Sequence, residues 1–290
     1  IQEHVEAVLK DVGPAKVRVV VDCGCGATCT ITPFLLRQMG CDVTAMNAQA
    51  DGHFPGRDPE PTEENLAGLA ATVRATRADL GIAHDGDGDR MVAMDADGRF
   101  VGGDVLLALF ARREVRRGLV VPVDASMVLS DLLPNATIWR TRVGDVYVAA
   151  ELKRRGADFG GEPSGTWIFP KATLCPDGVY AAAKLVSIVA ERPLSLLVKE
   201  IPRYPMFRGS IPYPPSERAS IESRLDRALR NLGADVSVLD GWRLQFDDGW
   251  ALVRFSGTEP KIRFLAESRD ERRAKEIYSA VVSSAKGAAA

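Results

Sequence analysis

Hydrophobic residues in the N-terminal third alternate between short β-branched runs and longer helical patterns. The run KVRVVVD at residues 16–22 predicts a buried strand that ends in glycine-rich sequence. The same patterns predict further strands at 42–46, 79–83 and 91–95, with helices at 32–40 and 62–75. Strands that alternate with helices indicate a largely parallel α/β sheet, in which ligands bind beyond the carboxyl ends of the strands.

A second unit with the same alternation follows. Its predicted elements are helices at 104–116, 126–133, 145–155 and 178–190, and strands at 119–123, 136–140 and 157–161. In each unit a strand runs into a polar loop that contains glycine. We therefore expect two related α/β domains.

The pattern changes after a proline-rich stretch between residues 193 and 215, which predicts a linker or edge segment. Beyond it we predict helices at 216–231 and 270–285 and strands at 236–239, 242–246, 250–255 and 262–267. Consecutive strands separate from the helices indicate a small α+β domain with an antiparallel sheet. The predicted fold class is α/β, with two related α/β domains whose sheets are mainly parallel or mixed, followed by this α+β domain. The predicted domains are 1–102, 103–203 and 204–290.

Composition adds little to this picture. The 290 residues carry a formal charge of −2, so we expect neither nucleic acid nor a membrane as the main partner. Five cysteines without a regular framework indicate reduced thiols and a cytoplasmic protein. A zinc or iron–sulfur site is an alternative interpretation of the cluster Cys23, Cys25 and Cys29, but paired C-x-x-C spacing is absent and small residues in a tight turn are favoured.

The most distinctive stretch is Asp85-Gly86-Asp87-Gly88-Asp89-Arg90, called the acidic loop below. On an extended backbone alternate side chains share a face. The two glycines between the aspartates let the backbone curl, so the three carboxylates are expected to converge. Converging oxygen ligands predict a site for Mg²⁺ or a similar cation. A calcium EF-hand is excluded because its sixth and twelfth positions would be Arg90 and Ala96 instead of Gly and Glu. A solvated acidic turn is the alternative. The adjacent His84 could titrate or form a hydrogen bond near the metal, and a structural role is at least an equal alternative.

A second candidate site is the sequence RFSGTEPKIR at residues 254–263, called the phosphate segment below. It combines arginines, hydroxyls and a glycine whose amide permits close approach, and these groups suit a phosphate dianion. The alternative is a structural turn with incidental arginines.

The loop GEPSGTW at residues 161–167, called the sugar loop below, is a third candidate. Glu162 and Ser164 present an acceptor and a hydroxyl that suit sugar hydroxyls, although a tight loop with an exposed glutamate is an equal alternative. The segment 141–145 predicts a helix start with Asp145 as the N-cap.

Three motifs in this order, DGDGDR, GEPSG and RFSGTEPKIR, resemble those of the α-D-phosphohexomutase family. Segments 51–55 and 141–147 are also similar to family segments, so the resemblance covers essentially the whole chain. It implies four domains, of which this chain resembles the second, third and fourth. The first, whose serine carries the catalytic phosphoryl group, is expected to be absent, so no catalytic residue is assigned here.

The resemblance implies roles for particular residues. Mg²⁺ is expected on Asp85, Asp87 and Asp89, with Arg90 in support; Glu162 and Ser164 would select sugar hydroxyls; and the phosphate that is not transferred would be held by Arg254, Ser256, Gly257, Thr258 and Arg263. One departure is Thr166, where many members carry an acid/base histidine. The GEPSGTW form resembles archaeal-type phosphoglucosamine or phosphomannomutases.

The implied activity is phosphate transfer between C1 and C6 of an aldohexose phosphate through a phosphoserine and a bisphosphate intermediate. The substrate is a hexose or hexosamine phosphate, and glucose, mannose and glucosamine remain open. This chain alone is expected to be inactive, and its oligomeric state is left open. The alternatives are a non-catalytic sugar-phosphate-binding module and a Mg²⁺-dependent phosphatase with an aspartate nucleophile.

Overall fold

The computed structural model describes residues 1–289, and the first of its sheets contains five strands. In chain order the N-terminal elements are α1 (Gln2–Val12), β1 (Arg18–Asp22), α2 (Thr32–Gln38), β2 (Asp42–Met46), α3 (Ala67–Thr76), β3 (Leu80–His84), β4 (Met91–Met94) and β5 (Phe100–Val101). The strand order is β2-β1-β3-β4-β5, with β2 and β3 parallel to β1 and β4 antiparallel to β3. The acidic loop is the connection from β3 to β4.

The second sheet repeats this arrangement with one strand fewer. Its region comprises α4 (Gly103–Glu114), β6 (Gly118–Pro122), α5 (Val128–Leu132), β7 (Thr137–Thr141), α6 (Asp145–Arg155), β8 (Phe159–Glu162), β9 (Thr166–Ile168), α7 (Gly178–Glu191) and α8 (Leu194–Lys199). The order is β7-β6-β8-β9, again parallel around the central strand and antiparallel in the final hairpin. The prediction of two related α/β units is confirmed, and the sugar loop occupies the place of the acidic loop.

The third sheet is antiparallel throughout. Its region comprises β10 (Met206–Pro212), α9 (Arg218–Arg230), β11 (Asp235–Ser237), β12 (Trp242–Phe246), β13 (Gly249–Phe255), β14 (Lys261–Ser268) and α10 (Glu271–Ala289), in the strand order β10-β14-β13-β12-β11. Ile221, Leu225 and Leu229 recur every fourth residue on α9 and are buried against this sheet with Ile277 and Val281 of α10. The predicted α+β domain is thereby confirmed, although its last residue, 290, lies outside the described part.

Hydrophobic packing joins the first two sheets and gives the third its own core. One continuous cluster runs from Val5 in α1 to Ile201 after α8, because α7 contacts α1 and α2 as well as strands of both sheets. Trp250 and Leu252 of β13 pack on Val123 and Met127 of the second region. None of the helices within residues 1–289 is long and apolar enough to cross a membrane.

The structure differs from the predictions in several local elements, and β5, β9 and α8 were not predicted. The helix α1 was not predicted; it buries Val5 and Val8 against the rest of the protein. The proline-rich stretch 193–215 contains the helix α8 and the edge strand β10. It is therefore an edge segment, as one of the two alternatives predicted, and not a linker. Proline is tolerated just before a helix and on an edge strand, so its frequency there does not break the structure. Gly144, and not Asp145, is the N-cap of α6.

Candidate metal and sugar-phosphate site

The acidic loop brings its three aspartates together. One carboxylate oxygen from each of Asp85, Asp87 and Asp89 lies within 4.8 Å of the other two. The backbone curls as the glycines of the loop predicted, and Gly88 has φ +83°. The bend is fixed by Asp85 Oδ1, which accepts hydrogen bonds from the backbone N–H of Gly88 at 3.0 Å and of Arg90 at 3.1 Å.

The electrostatics of this loop favour a bound cation. Burial raises the pKa of Asp85 to about 7, and the neighbouring carboxylates of Asp87 and Asp89 add to the rise. Burial and the Asp87 charge also raise the pKa of Asp89. Arg90 neutralises this cluster only partly: its Nε lies 3.8 and 3.9 Å from Asp89 and Asp85, while Nη1 donates to Glu60 at 2.7 Å. Crowded hard oxygen ligands with little compensating charge fit a divalent cation such as Mg²⁺.

His84 lies directly before the acidic loop and forms the hydrogen bond that its position suggested. Its ring Nδ1 is 3.0 Å from the carbonyl oxygen of Arg90, so the ring connects the two ends of the loop. The ring is completely buried, and this burial lowers the pKa of His84 to about 4. The imidazole is therefore neutral near pH 7 and does not titrate there.

The sugar loop is a tight hairpin beside the acidic loop. Glu162 pairs with Thr166 across β8 and β9, and the Met91 backbone N–H donates to the carbonyl oxygen of Gly165 at 3.0 Å. Glu162 is buried, which raises its pKa, and its Oε1 accepts from the Gly144 N–H at 2.7 Å. Ser164 is exposed. Thr166 is the residue that stands where many family members have a histidine. Its hydroxyl is 3.3 Å from the Ser164 hydroxyl and so orients it.

A cleft of about 1060 Å³ joins the sugar loop to the phosphate segment. Its described lining residues include Ser164, but not Glu162, of the sugar loop, together with Arg254 and Arg263, which pair with each other across β13 and β14. The three aspartates of the acidic loop are not among the described residues that line the cleft. They are connected to it through Arg90, whose partner Glu60 forms part of the wall.

Ser256, Gly257 and Thr258 form the turn of the phosphate segment. The Ser256 hydroxyl is 3.5 Å from that of Thr258 and accepts weakly from the Thr258 N–H at 3.4 Å. A side chain at Gly257 would meet nothing within 4 Å, so the turn is open to solvent at this residue, whereas Ser256 is buried. Among the described residues, the lining of the cleft does not include these three, so Arg254 and Arg263 are the predicted residues of the segment that share the cleft with Ser164.

Asp240 connects the phosphate segment to the second region and was missed by the sequence analysis. Its Oδ2 accepts from Arg254 Nη1 and from the Val143 N–H, both at 3.0 Å. The next residue, Gly144, donates to Glu162. The turn at Val143 and Gly144 therefore donates to two carboxylates, that of Glu162 in the sugar loop and that of Asp240, which pairs with Arg254. Neither Asp240 nor Glu60 lies in a motif, so no signal in the sequence indicates them.

The comparisons with known proteins agree with this arrangement of domains. Residues 2–98, 102–204 and 218–284 match the models of domains II, III and IV of phosphoglucomutase/phosphomannomutase, described as alpha/beta/alpha domain II, alpha/beta/alpha domain III and C-terminal domain. The chain belongs to this family of phosphohexomutases.

Similar proteins give the finer relationship. The chain is 51% identical over 280 residues to a probable phosphoglucosamine mutase of Methanocella arvoryzae, covering 96% of this chain and 64% of that protein. A crystal structure of a phosphoglucomutase/phosphomannomutase family protein from Burkholderia thailandensis has a TM-score of 0.86 at 27% identity, over 99% of this chain and 65% of the other. The fold is also shared with an Aspergillus fumigatus N-acetylphosphoglucosamine mutase in complex with GlcNAc-6P and magnesium, with a TM-score of 0.63 at 17% identity over 99% of this chain and 65% of the other. The chain therefore spans slightly less than two thirds of these relatives.

Proposed function

We propose that this chain forms the metal-, sugar- and phosphate-binding part of a phosphohexomutase that acts on glucosamine phosphate. The observation that carries the proposal is the cleft whose lining contains Ser164 of the sugar loop together with Arg254 and Arg263, with the acidic loop connected through Arg90 and Glu60. The choice of glucosamine is supported by the name of the 51% identical relative. The predicted domain boundaries, a cytoplasmic location and the reduced thiols remain predictions that accompany this proposal.

In this proposal each part of the site has a separate task. Asp85, Asp87 and Asp89 hold Mg²⁺, which would stabilise negative charge on a transferring phosphoryl group. Arg254 and Arg263, with the open turn at 256–258, bind the phosphate at the other end of the sugar. Glu162 and Ser164 contact ring hydroxyls between the two ends, so the substrate is oriented for reaction at one end only.

Phosphoryl transfer itself requires a nucleophile, which the family resemblance assigns to a serine of domain I. The matched domains are II, III and IV, so we propose that the 290-residue chain alone binds substrate but does not convert it. This also separates the proposal from a phosphatase, in which an aspartate of the acidic loop would act as nucleophile and release inorganic phosphate.

Calorimetry and an activity assay test the proposal together. With Mg²⁺ present, the chain should bind glucosamine 6-phosphate more tightly than inorganic phosphate, because the sugar hydroxyls add contacts. Incubation with glucosamine 6-phosphate should yield neither glucosamine 1-phosphate nor free phosphate. Equal affinity for inorganic phosphate would contradict the sugar site, and release of phosphate would favour the phosphatase. A glucosamine 1-phosphate product would show that this chain supplies its own nucleophile.

A further inference from the structure

Arg57 is buried directly behind the acidic loop, and no motif or proposed task accounts for it. Its side chain is only 5% exposed and forms an ion pair with Asp22, whose side chain is 3% exposed. Arginine stays charged at any ordinary pH, and a buried charge is costly unless it is paired and hydrogen-bonded. Such an arrangement persists only where the surrounding structure satisfies its donors.

The guanidinium of Arg57 satisfies its donors with three separate parts of the first domain. Nε donates to Asp22 Oδ2, at the end of β1, at 3.0 Å. Nη1 donates to the carbonyl oxygens of Asp58 at 2.9 Å and Pro59 at 3.1 Å. Nη2 donates to the carbonyl oxygen of His84 at 2.5 Å, and His84 is the residue immediately before the acidic loop. One side chain therefore fixes the point at which this loop leaves β3.

The carboxylate that pairs with Arg57 is itself fully engaged. Oδ1 of Asp22 accepts from the Gly24 N–H at 2.8 Å and from Asn47 Nδ2 at 2.9 Å. Hydrogen bonds that involve charged groups in a buried place are stronger than those in water. The Asp22–Arg57 pair is thus a rigid connection between the turn after β1 and the segment around residue 57.

Both of these elements also contact the acidic loop. The Ala27 N–H donates to the carbonyl oxygen of Gly86 at 2.9 Å, and a Cβ added at Gly26 would lie 2.3 Å from that oxygen. On the other side, a Cβ added at Gly86 would lie 3.1 Å from the ring of Phe54. The acidic loop is therefore enclosed between two segments that the Asp22–Arg57 pair joins. Close approach at Gly26 also gives the glycine-rich turn after β1 a packing role.

We propose that Arg57, paired with Asp22, is a positioning residue for the metal site. It holds the backbone of the acidic loop so that three mutually repelling carboxylates stay close together, and this raises the affinity for a divalent cation. The proposal rests on the proposed function in one respect, namely that the acidic loop binds such a cation.

The test uses the purified 290-residue chain and Mn²⁺ as the probe. Binding is measured by electron paramagnetic resonance of free Mn²⁺ and by calorimetry, alongside thermal unfolding. Replacing a residue that supports metal ligands typically lowers affinity about 10- to 100-fold, so we expect an increase in Kd of this size for Arg57→Met. Arg57→Lys should have an intermediate Kd, because lysine retains the charge but cannot reach all three parts at once.

The matched control is Arg243→Met. Arg243 is 6% exposed and donates from Nε to the Val123 carbonyl oxygen at 3.0 Å, in another part of the protein. This variant should lose thermal stability as Arg57→Met does but should retain the parent Kd for Mn²⁺. The difference between the two variants separates positioning of the loop from general loss of stability.

The double variant Asp22→Asn/Arg57→Met covers the case in which Arg57→Met does not fold, because it leaves no unpaired buried carboxylate. We expect its Kd to remain raised about 10-fold or more. If the parent binds Mn²⁺ and these variants bind within about twofold of it, the positioning role is wrong while the metal site stands. If the parent does not bind Mn²⁺, the metal assignment fails and the positioning role fails with it.

Discussion

The acidic loop and the phosphate segment are both charged connections between antiparallel strands, yet they are built in opposite ways. The acidic loop is partly buried, and its backbone is fixed by Asp85 Oδ1 and by the His84 ring. The phosphate segment is open, and the Arg263 side chain is 49% exposed. Carboxylates that repel each other must be held together by the fold to form a cation site. Exposed arginines, in contrast, can pair with nearby carboxylates when no anion is bound.

The partners of the two arginines illustrate this difference. Arg254 pairs with Asp240 at 3.0 Å, and Arg263 pairs with Glu259 at 3.5 Å. In the proposed function a phosphate dianion must replace these carboxylates as the partner of the arginines. Its affinity therefore depends mainly on the difference in strength between the old and the new ion pairs. Substitutions should therefore affect ligand binding and stability differently in the two regions.

The largest expected effect is in the acidic loop. Asp87→Asn removes an exposed member of the group of three and should abolish detectable Mg²⁺ binding by calorimetry. The metal-free protein should be as stable as the parent or slightly more so, because the remaining carboxylates repel less. Asp97→Asn is the control, since that exposed aspartate pairs with Arg99 in the next turn. Unchanged Mg²⁺ affinity of Asp87→Asn would contradict the assignment.

Arg254→Met should weaken binding of glucosamine 6-phosphate about 10- to 100-fold, which is the size expected for loss of a charged hydrogen bond. Mg²⁺ affinity should not change, because the acidic loop lies outside the phosphate segment. Arg273→Met provides the control: Arg273 forms a comparable pair with Asp248 on the same domain, at 2.8 Å. Both affinities are measured by calorimetry, and equal losses in the two variants would show that the effect is not specific to Arg254.

Asp104, in the wall of the cleft, should make stability depend on pH. Burial raises the pKa of this carboxyl from 3.8 to about 6, against the hydrogen bond from the Ser126 N–H. Because the folded state keeps this proton longer than the unfolded state, the contribution of Asp104 to stability falls as pH rises from about 4 to 6 and is constant above.

The Asp104 side chain is 23% exposed, so we expect a loss of only about 2 kcal/mol over this range. Denaturant unfolding of the parent and of Asp104→Asn at several pH values measures it, and the difference between the two proteins should change across this window. A difference that is independent of pH would rule out the raised pKa.

The smallest effect is expected for Glu259→Gln. This change releases the exposed Arg263 from its ion pair and should increase affinity for glucosamine 6-phosphate by less than about fivefold, with the gain shrinking at high salt. Titrations at low and high ionic strength provide the measurement. A decrease in affinity would show that Glu259 contributes to the site instead of competing with the ligand.

Sequence patterns predicted most of the elements because their periodicities are local. The β-branched run ending at Asp22, the alternation through the second unit and the hairpin at Asp247–Gly249 all correspond to elements of the structure. Helix α1 was missed because its burial of Val5 and Val8 depends on α7, which lies far along the chain. The proline-rich stretch was partly misinterpreted, because the positions of its prolines and not their number decide whether α8 and β10 can form.

The candidate site divides in the same way. Motifs pointed to the acidic loop, the sugar loop and the phosphate segment, since their chemistry is concentrated in a few consecutive residues. Glu60, Asp240 and Arg57 act through single side chains that reach residues distant in sequence, and none of them lies in one of the three motifs. Only the packing of the strands brings them to Arg90, Arg254 and the end of β3.

The sequence by itself therefore determined the three-part organisation and the family resemblance, and it suggested the kinds of ligand that we propose, because side-chain chemistry and periodicity are properties of short segments. The tertiary structure decided that Ser164, Arg254 and Arg263 line one cleft, and that the acidic loop bends at Gly88 with Arg57 behind it. The physical reason is that these arrangements depend on the parallel order of strands and on buried ion pairs between distant residues. Such contacts form only when the whole chain has folded.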